Sequence, residues 1–184
     1  MTDKENHILD AVMAVLARDG IAATSMRAVA RQADVALGLM NYYFDNKTSL
    51  IAAALRRLGD EDARIVVPDF GLDAEARLRF ALRRATDTEF LTTDYLALRL
   101  QLWSLASVDP VFAEINHQAQ TRYRDGLAVL IAAARPDVDP DEVRRRAADI
   151  LIIQNGVWLT SILISDPDSI ERSLARSEEI AFAK

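Results

Sequence analysis

Thr24 to Lys47 reads TSMRAVARQADVALGLMNYYFDNK, and its pattern decides how the rest of the chain is understood. It predicts two short helices joined by a tight turn. The first runs from about Met26 to Ala33, with Val29, Ala30 and Ala33 on one apolar face. Ala30 is small, so a second helix can pack close to it. Asp34-Val35 makes the turn; Asp tolerates the left-handed backbone that such a turn needs, though less readily than Gly. Val35 and Met40 point back into the small core. The second helix, about Leu37 to Phe44, leaves Leu37, Gly38, Asn41, Tyr42 and Tyr43 on its other faces. Those residues suit a solvated surface poorly. They suit a helix lying in a DNA major groove.

Working outward, Ile8, Val12, Val15 and Leu16 recur at helical spacing and predict a helix over about 4–18, which Gly20 stops. Thr24 or Ser25 caps the next helix. His7 stands alone and reads as a solvated or cap-region side chain, not a metal ligand. On the other side, Asn46 caps a helix to about Val66 with an apolar stripe of Leu50, Ile51, Ala54, Leu55 and Leu58. Pro68 and Gly71 end it. A helix over about 73–88 is expected to turn Ala76, Phe80, Ala81 and Leu82 inward. Its Arg77, Arg79, Arg83 and Arg84 read as a solvated face paired with acids. The next helix, about 93–107, carries Tyr95, Leu98, Leu102, Trp103 and Leu105.

Three Asp-Pro pairs then start helices: Asp109-Pro110, Asp139-Pro140 and Asp166-Pro167. The helix from Asp139 is expected to reach about Ser165. Its stretch from Ala147 to Ile164, AADILIIQNGVWLTSILI, is almost wholly apolar. Gln154-Asn155 at its centre argues against a membrane span. A helix apolar all round needs burial all round. One face packs on its own domain and the other needs a partner. The last two helices therefore predict a symmetric four-helix homodimer interface, with Ile150, Ile153, Val157, Ser161, Ile170 and Leu174 as candidates.

The Thr24–Lys47 stretch resembles the TetR family of bacterial transcription regulators. The resemblance rests on Thr24-Ser25-Met26-Arg27, the Ala28-Val29-Ala30-Arg31 helix, Val35 in the turn, and Gly38-Leu39-Met40-Asn41-Tyr42-Tyr43-Phe44 followed by Asn46-Lys47. It extends over about residues 8 to 58. Two positions depart from the family pattern: Asp34 stands where Gly is usual, and Ala36 where a Ser or Thr cap is usual. Each departure costs about 0.5–1 kcal/mol locally. The resemblance implies that Lys47 and Tyr42 hold phosphates, and that Ser25 and Arg27 contact backbone or base edges. It implies that Leu37, Gly38 and Tyr43 face the bases, with Asn41 at the margin. The carboxy-terminal half is similar to the betaine-pathway repressor group, through Leu102-Trp103, Asp109-Pro110, Arg122 to Arg124 and Asn155-Gly156-Val157-Trp158-Leu159. That similarity implies a small-molecule effector. Candidate lining residues are Phe80, Leu98, Leu102, Trp103, Tyr123, Gln154 and Trp158; the alternative is that these side chains are core.

Composition narrows the chemistry. The 184 residues are about half hydrophobic, with few Gly and Pro and no Cys, so disulfides, thiol catalysis and zinc fingers are excluded. Two His and no Gly-rich phosphate loop leave little for catalysis or metal binding. Ser104 and Ser107 have no base nearby in sequence, and Asp94 and Glu89 read as caps. The net charge of −6 runs against the basic footprint usual for nucleic-acid binding. It implies few phosphate contacts per subunit and reliance on dimerisation. No signal-peptide pattern is seen, so a cytoplasmic protein is expected. The expected architecture is all-α with about nine helices. A helix-turn-helix head (1–46) joins a ligand-binding and dimerisation body (47–184). The expected function is a regulator that binds a palindromic double-stranded operator as a homodimer and is released by a small molecule. No cofactor, metal or membrane is expected. The alternative is a helical dimeric small-molecule-binding protein or enzyme that does not touch DNA.

Overall fold

The computed structural model describes residues 2–67, 71–164 and 166–183. Among these, nine α-helices and two short 3₁₀ turns account for the regular structure, with no strand. The helices are α1 (Asp3–Ala23), α2 (Met26–Gln32), α3 (Leu37–Tyr43), α4 (Lys47–Ala63), α5 (Ala74–Arg84), α6 (Thr93–Ala106), α7 (Pro110–Ala134), α8 (Pro140–Leu163) and α9 (Pro167–Phe182). The expected role of Pro68 in ending α4, and the expected end of α8 at Ser165, lie outside the described residues.

Local chemistry sets most boundaries. Asn46 and Ser49 bond reciprocally at the start of α4: Ser49 N–H donates to Asn46 Oδ1 at 2.9 Å and Asn46 N–H to Ser49 Oγ at 3.2 Å. Asp73, Asp109, Asp139 and Asp166 each accept a backbone N–H at the start of α5, α7, α8 and α9. These bonds satisfy donors that a helix cannot pair internally. Gly20 takes φ +76°, so α1 kinks there and only a short turn follows before Thr24. Helix α5 stops at Arg84, short of the expected Thr88, because Thr86 and Asp87 close a turn back onto Arg83 and Arg84.

The chain divides into two compact units, Met1–Gly59 with Ala97–Asn116 and Asp60–Leu96 with His117–Lys184. The first unit has Ile8, Val12, Leu16, Val29, Met40, Leu50, Leu55 and Leu58 fully buried. Within it Gln101 Nε2 donates to the Leu16 carbonyl at 2.6 Å, and Arg57 pairs with Asp10 at 2.6 Å.

In the second unit Ile65, Leu78, Leu82, Leu127, Ile131, Ala147, Ile150 and Trp158 form the core. A Cβ at Gly126 would lie 2.4 Å from Val66 Cγ2, so only glycine lets α7 approach there. Phe80 corrects the expected inward face of α5: it is 46% exposed. The buried face is Leu78, Ala81, Leu82 and Ala85, at the three- and four-residue steps of one helix side, and Phe80 falls off it. Two basic residues of α5 are paired with an acid as expected. Arg79 and Arg83 meet Glu178, and Arg79 also lies 4.1 Å from the centre of the Phe182 ring. Two guanidinium groups gather the end of α9. Arg135 Nη1 donates to Phe182 O at 2.7 Å, and Arg146 Nη1 to Ala183 O at 2.9 Å. Both occupy carbonyls that the helix leaves unpaired.

Asp137 grips Arg135 at 2.8 Å, and the guanidinium hydrogen bond holds its carboxyl down at about 2, against an ordinary 3.8. A depressed carboxylate contributes stability above its unfolded pKa and loses it as pH falls through the folded value. Urea midpoints for wild type and Asp137→Asn are therefore expected to differ at pH 7 and to converge as pH drops from about 4 towards 2. A gap that persisted unchanged at pH 2 would contradict this role.

Candidate nucleic-acid interface

Helices α2 and α3 pack through Val29, Ala30, Ala33 and Met40, all at or below 5% exposure. Phe44 closes the same small core. Ser25 caps α2, its Oγ accepting from Ala28 N–H at 3.1 Å. Asp34 sits at φ +51°, the sole non-glycine residue with positive φ among those described. Val35 N–H reaches back to Ala30 O at 3.0 Å, and its side chain is half-buried, less deeply inserted than its spacing suggests. Ala36 stands at the α3 N-cap with no side-chain hydrogen bond. Both turn residues are thus suboptimal. Asp34→Gly and Ala36→Ser are each expected to raise stability by about 0.5–1 kcal/mol. Denaturant midpoints check this; a loss of stability in Asp34→Gly would refute the reading of the turn.

Two longer contacts brace this motif. His7 Nε2 donates to the Ala33 carbonyl at 2.8 Å, tying α1 to the turn, while the residue stays exposed, as expected of a solvated side chain. Lys47 Nζ donates to Ile21 O at 2.6 Å, and an ammonium keeps further donors for another acceptor. At the other end of α1, Thr2 and Glu5 form a capping box, a pattern legible in the sequence as Thr-x-x-Glu. Thr2 Oγ1 also lies 3.3 Å from Tyr43 Oη, sharing a hydrogen bond.

The outward side of the motif collects the candidate residues of this region. Ser25, Arg27, Leu37, Gly38, Asn41 and Tyr42 are exposed, and Tyr43 and Lys47 are half-buried. Tyr42 is 80% exposed, and its ring meets that of Tyr43 edge-on, centroids 5.1 Å apart. Gly38 has open space where a Cβ would stand. The exposed Tyr42, with the half-buried Tyr43 against it, stands beside a bare backbone and offers groups that can approach a groove floor, with Arg27 and Arg31 exposed on the preceding helix.

The effector candidates divide. Leu98 and Leu102 are buried in the first unit and Trp103 is half-buried. In the second unit Tyr123, Gln154 and Trp158 come together. Tyr123 Oη donates to Gln154 Oε1 at 2.8 Å, its ring meets Trp158 edge-on at 5.9 Å, and Trp158 Nε1 donates to Ala85 O at 2.9 Å. Gln120 accepts from Asn155 Nδ2 at 2.9 Å.

Of the interface candidates, Ile150 and Val157 belong to the subunit's own core; Ile153, Ser161, Ile170 and Leu174 are half-buried. The exposed apolar side of α8 is Ile152, Leu159 and Leu163, spaced seven and four residues apart on one face. Sequence reading missed this stripe, because α8 has no polar face there to mark which side looks outward.

Comparison with known proteins places these features. Residues 8–54 match the family described as "Bacterial regulatory proteins, tetR family", and residues 74–180 match "BetI-type transcriptional repressor, C-terminal". The "HTH-type transcriptional regulator BetI" of Paraburkholderia phymatum is 25% identical over 170 residues, covering 91% of this chain and 85% of that protein. A TetR transcription regulator from Haloarcula marismortui shares the fold at TM-score 0.80 and 22% identity, covering 98% of this chain and 97% of that one. The multidrug binding protein EbrR, solved with ethidium, matches at TM-score 0.72 and 27% identity, covering 97% and 98%.

Proposed function

This chain belongs to the tetR family of bacterial regulatory proteins, with a BetI-type repressor body, and we propose that it represses transcription as a homodimer released by a small molecule. As a member of that family it is a DNA-binding transcriptional regulator and not an enzyme. The head at 1–46 reads a palindromic double-stranded operator, one α3 per half-site in the major groove. Lys47 and Tyr42 hold phosphates, Ser25 and Arg27 contact backbone or base edges, Leu37, Gly38 and Tyr43 face the bases, and Asn41 lies at the margin. The observation that carries this is the bare, aromatic outward side of α3, with Tyr42 80% exposed. The chain acts in the cytoplasm, beside its DNA. No helix among the described residues is long and apolar enough to cross a membrane.

The body at 47–184 dimerises and senses. Pairing runs through the last two helices, and the exposed Ile152, Leu159 and Leu163 favour that side of α8 as its centre, with Ile153, Ser161, Ile170 and Leu174 around it. The effector enters the second unit beside Tyr123, Gln154 and Trp158, which lie together there, rather than at Phe80, Leu98, Leu102 or Trp103. The relative solved with ethidium and the aromatic-amide cluster of Tyr123, Gln154 and Trp158 support that choice. An effector favouring the arrangement that cannot hold both half-sites shifts the dimer off DNA, by no more than its differential affinity.

Fluorescence anisotropy with DNA from upstream of the chain's own gene, at two salt concentrations against scrambled DNA, tests the head. Lys47→Ala removes two phosphate contacts per dimer, so it is expected to weaken binding to every sequence and flatten the salt slope by about 2. Tyr43→Ala is expected to erode preference for the operator over scrambled DNA. Wild-type binding by both variants would overturn the assignment.

A further inference from the structure

A cleft of about 260 Å³ opens in the second unit, lined by Glu61, Arg64, Arg84, Glu89, Phe90 and Tyr95. Five short segments supply it: the last turn of α4, the 3₁₀ turn Arg64–Val66, the end of α5, the 3₁₀ turn Thr88–Phe90 and the first turn of α6. Its floor is apolar. Phe90 and Tyr95 meet edge-on with centroids 5.3 Å apart. Its rim is charged and balanced, with two carboxylates and two guanidinium groups.

Three of the rim charges, Arg64, Arg84 and Glu89, are only loosely used. Arg84 Nη1 donates to Arg64 O at 3.3 Å, while its Nε stands 3.7 Å from Glu89 Oε1, too far for a hydrogen bond. Glu89 is 61% exposed at its side chain. The exposed Arg64 guanidinium makes no hydrogen bond or ion pair among the described residues. A guanidinium fork left open in this way is shaped to take a carboxylate through two parallel bonds.

We propose that this cleft binds a compact zwitterion, its carboxylate on Arg64, its ammonium on Glu89, and its hydrocarbon over the Phe90–Tyr95 floor. Charge balance selects the class. A simple anion would face two carboxylates, and a simple cation two guanidinium groups; a ligand carrying both charges meets a partner at each end. The volume equals that of about eight or nine waters, below the range of drug-sized sites, so the ligand is small. Glu61 lies on α4, the helix that begins at Lys47. A bound zwitterion therefore ties the 3₁₀ turn that follows that helix to the Thr88–Phe90 turn and the start of α6. The consequence for operator binding rests on the function proposed above; the site itself does not.

Isothermal titration calorimetry on the full chain tests it. The probes are the ω-amino acids from glycine to 6-aminohexanoate, with butyrate and butylammonium as single-charge controls. At least one zwitterion is expected to bind at least tenfold more tightly than either control. Arg64→Gln and Glu89→Gln, both exposed and expected to fold as wild type by circular dichroism, should each weaken it at least tenfold. Absence of binding across the series, equal binding of a control, or wild-type affinity in Arg64→Gln would each overturn the site. Operator anisotropy with and without the tightest zwitterion tests the coupling separately. An unchanged operator affinity despite calorimetric binding would overturn the coupling and leave the site standing.

Discussion

Replacing Gly38 with Leu is expected to leave the protein at least as stable as wild type while lowering operator affinity about 100-fold, or about 2.8 kcal/mol. The two halves of this result have separate causes. Gly38 lies in α3, and nothing stands within 4 Å of the place its Cβ would occupy. The substitution therefore meets no steric obstacle in the free chain. A non-glycine residue also restricts the unfolded chain and favours a helix by about 0.5–1 kcal/mol. On DNA the same open space is taken to be where the groove floor approaches the backbone, and a four-carbon side chain would hold the helix away. Gly38→Ala should fall between the two. Thermal melts and operator anisotropy on the same preparations check both halves. Unimpaired operator binding by Gly38→Leu would show that this side of α3 does not meet DNA. A large loss of stability would show that the substitution says nothing about DNA.

The second large effect is expected at α8. Ile152→Glu with Leu163→Glu should give a folded monomer with operator binding reduced to the level of scrambled DNA. Ile152 and Leu163 are 69% and 68% exposed in the single chain, so charge there costs the monomer little. In a symmetric pair the two sites recur in both subunits. Burying four aliphatic side chains at about 1.5 kcal/mol each is worth roughly 6 kcal/mol, four orders of magnitude in the dimer constant. Replacing them with carboxylates adds the penalty of burying charge. Native mass spectrometry and sedimentation report the assembly. A dimer that survived both substitutions would place the interface elsewhere. Ile150→Glu makes a useful contrast: Ile150 is fully buried within its own chain, so that variant should lose the fold, not merely the partner.

These results also mark what the residues disclose before any coordinates are seen. Helix starts were legible because Asp73, Asp109, Asp139 and Asp166 cap through local hydrogen bonds, which need only neighbours in sequence. The helix-turn-helix was legible for the same reason, including the left-handed Asp34 and the uncapped Ala36. The phase of α8 was not. Apolar residues surround it from Ala147 to Ile164, so periodicity cannot separate the side that packs at home from the side left bare. Phe80 misled in the same way, since hydrophobicity alone does not say which stripe of an eleven-residue helix faces inward. The bracing bonds from His7 to Ala33 and Lys47 to Ile21 each span 26 residues, and the Arg64–Glu89 cleft draws on five segments. No local rule reaches across such separations.

The Asp-Pro helix starts carry a consequence for how this chain tolerates length changes. The residue before a proline is disfavoured in the helical region, so Pro140 gives α8 a hard first residue and the helix cannot slide to absorb an insertion. Each added residue rotates everything beyond it by about 100°. One residue inserted between Pro140 and Ile150 would swing the bare stripe towards the core and turn Ile150 outwards. The same insertion at Arg135–Val138, ahead of that start, would leave the phase of α8 intact. Tolerance to insertion should therefore change abruptly at Asp139, with the connecting segment before it forgiving and the helix after it not.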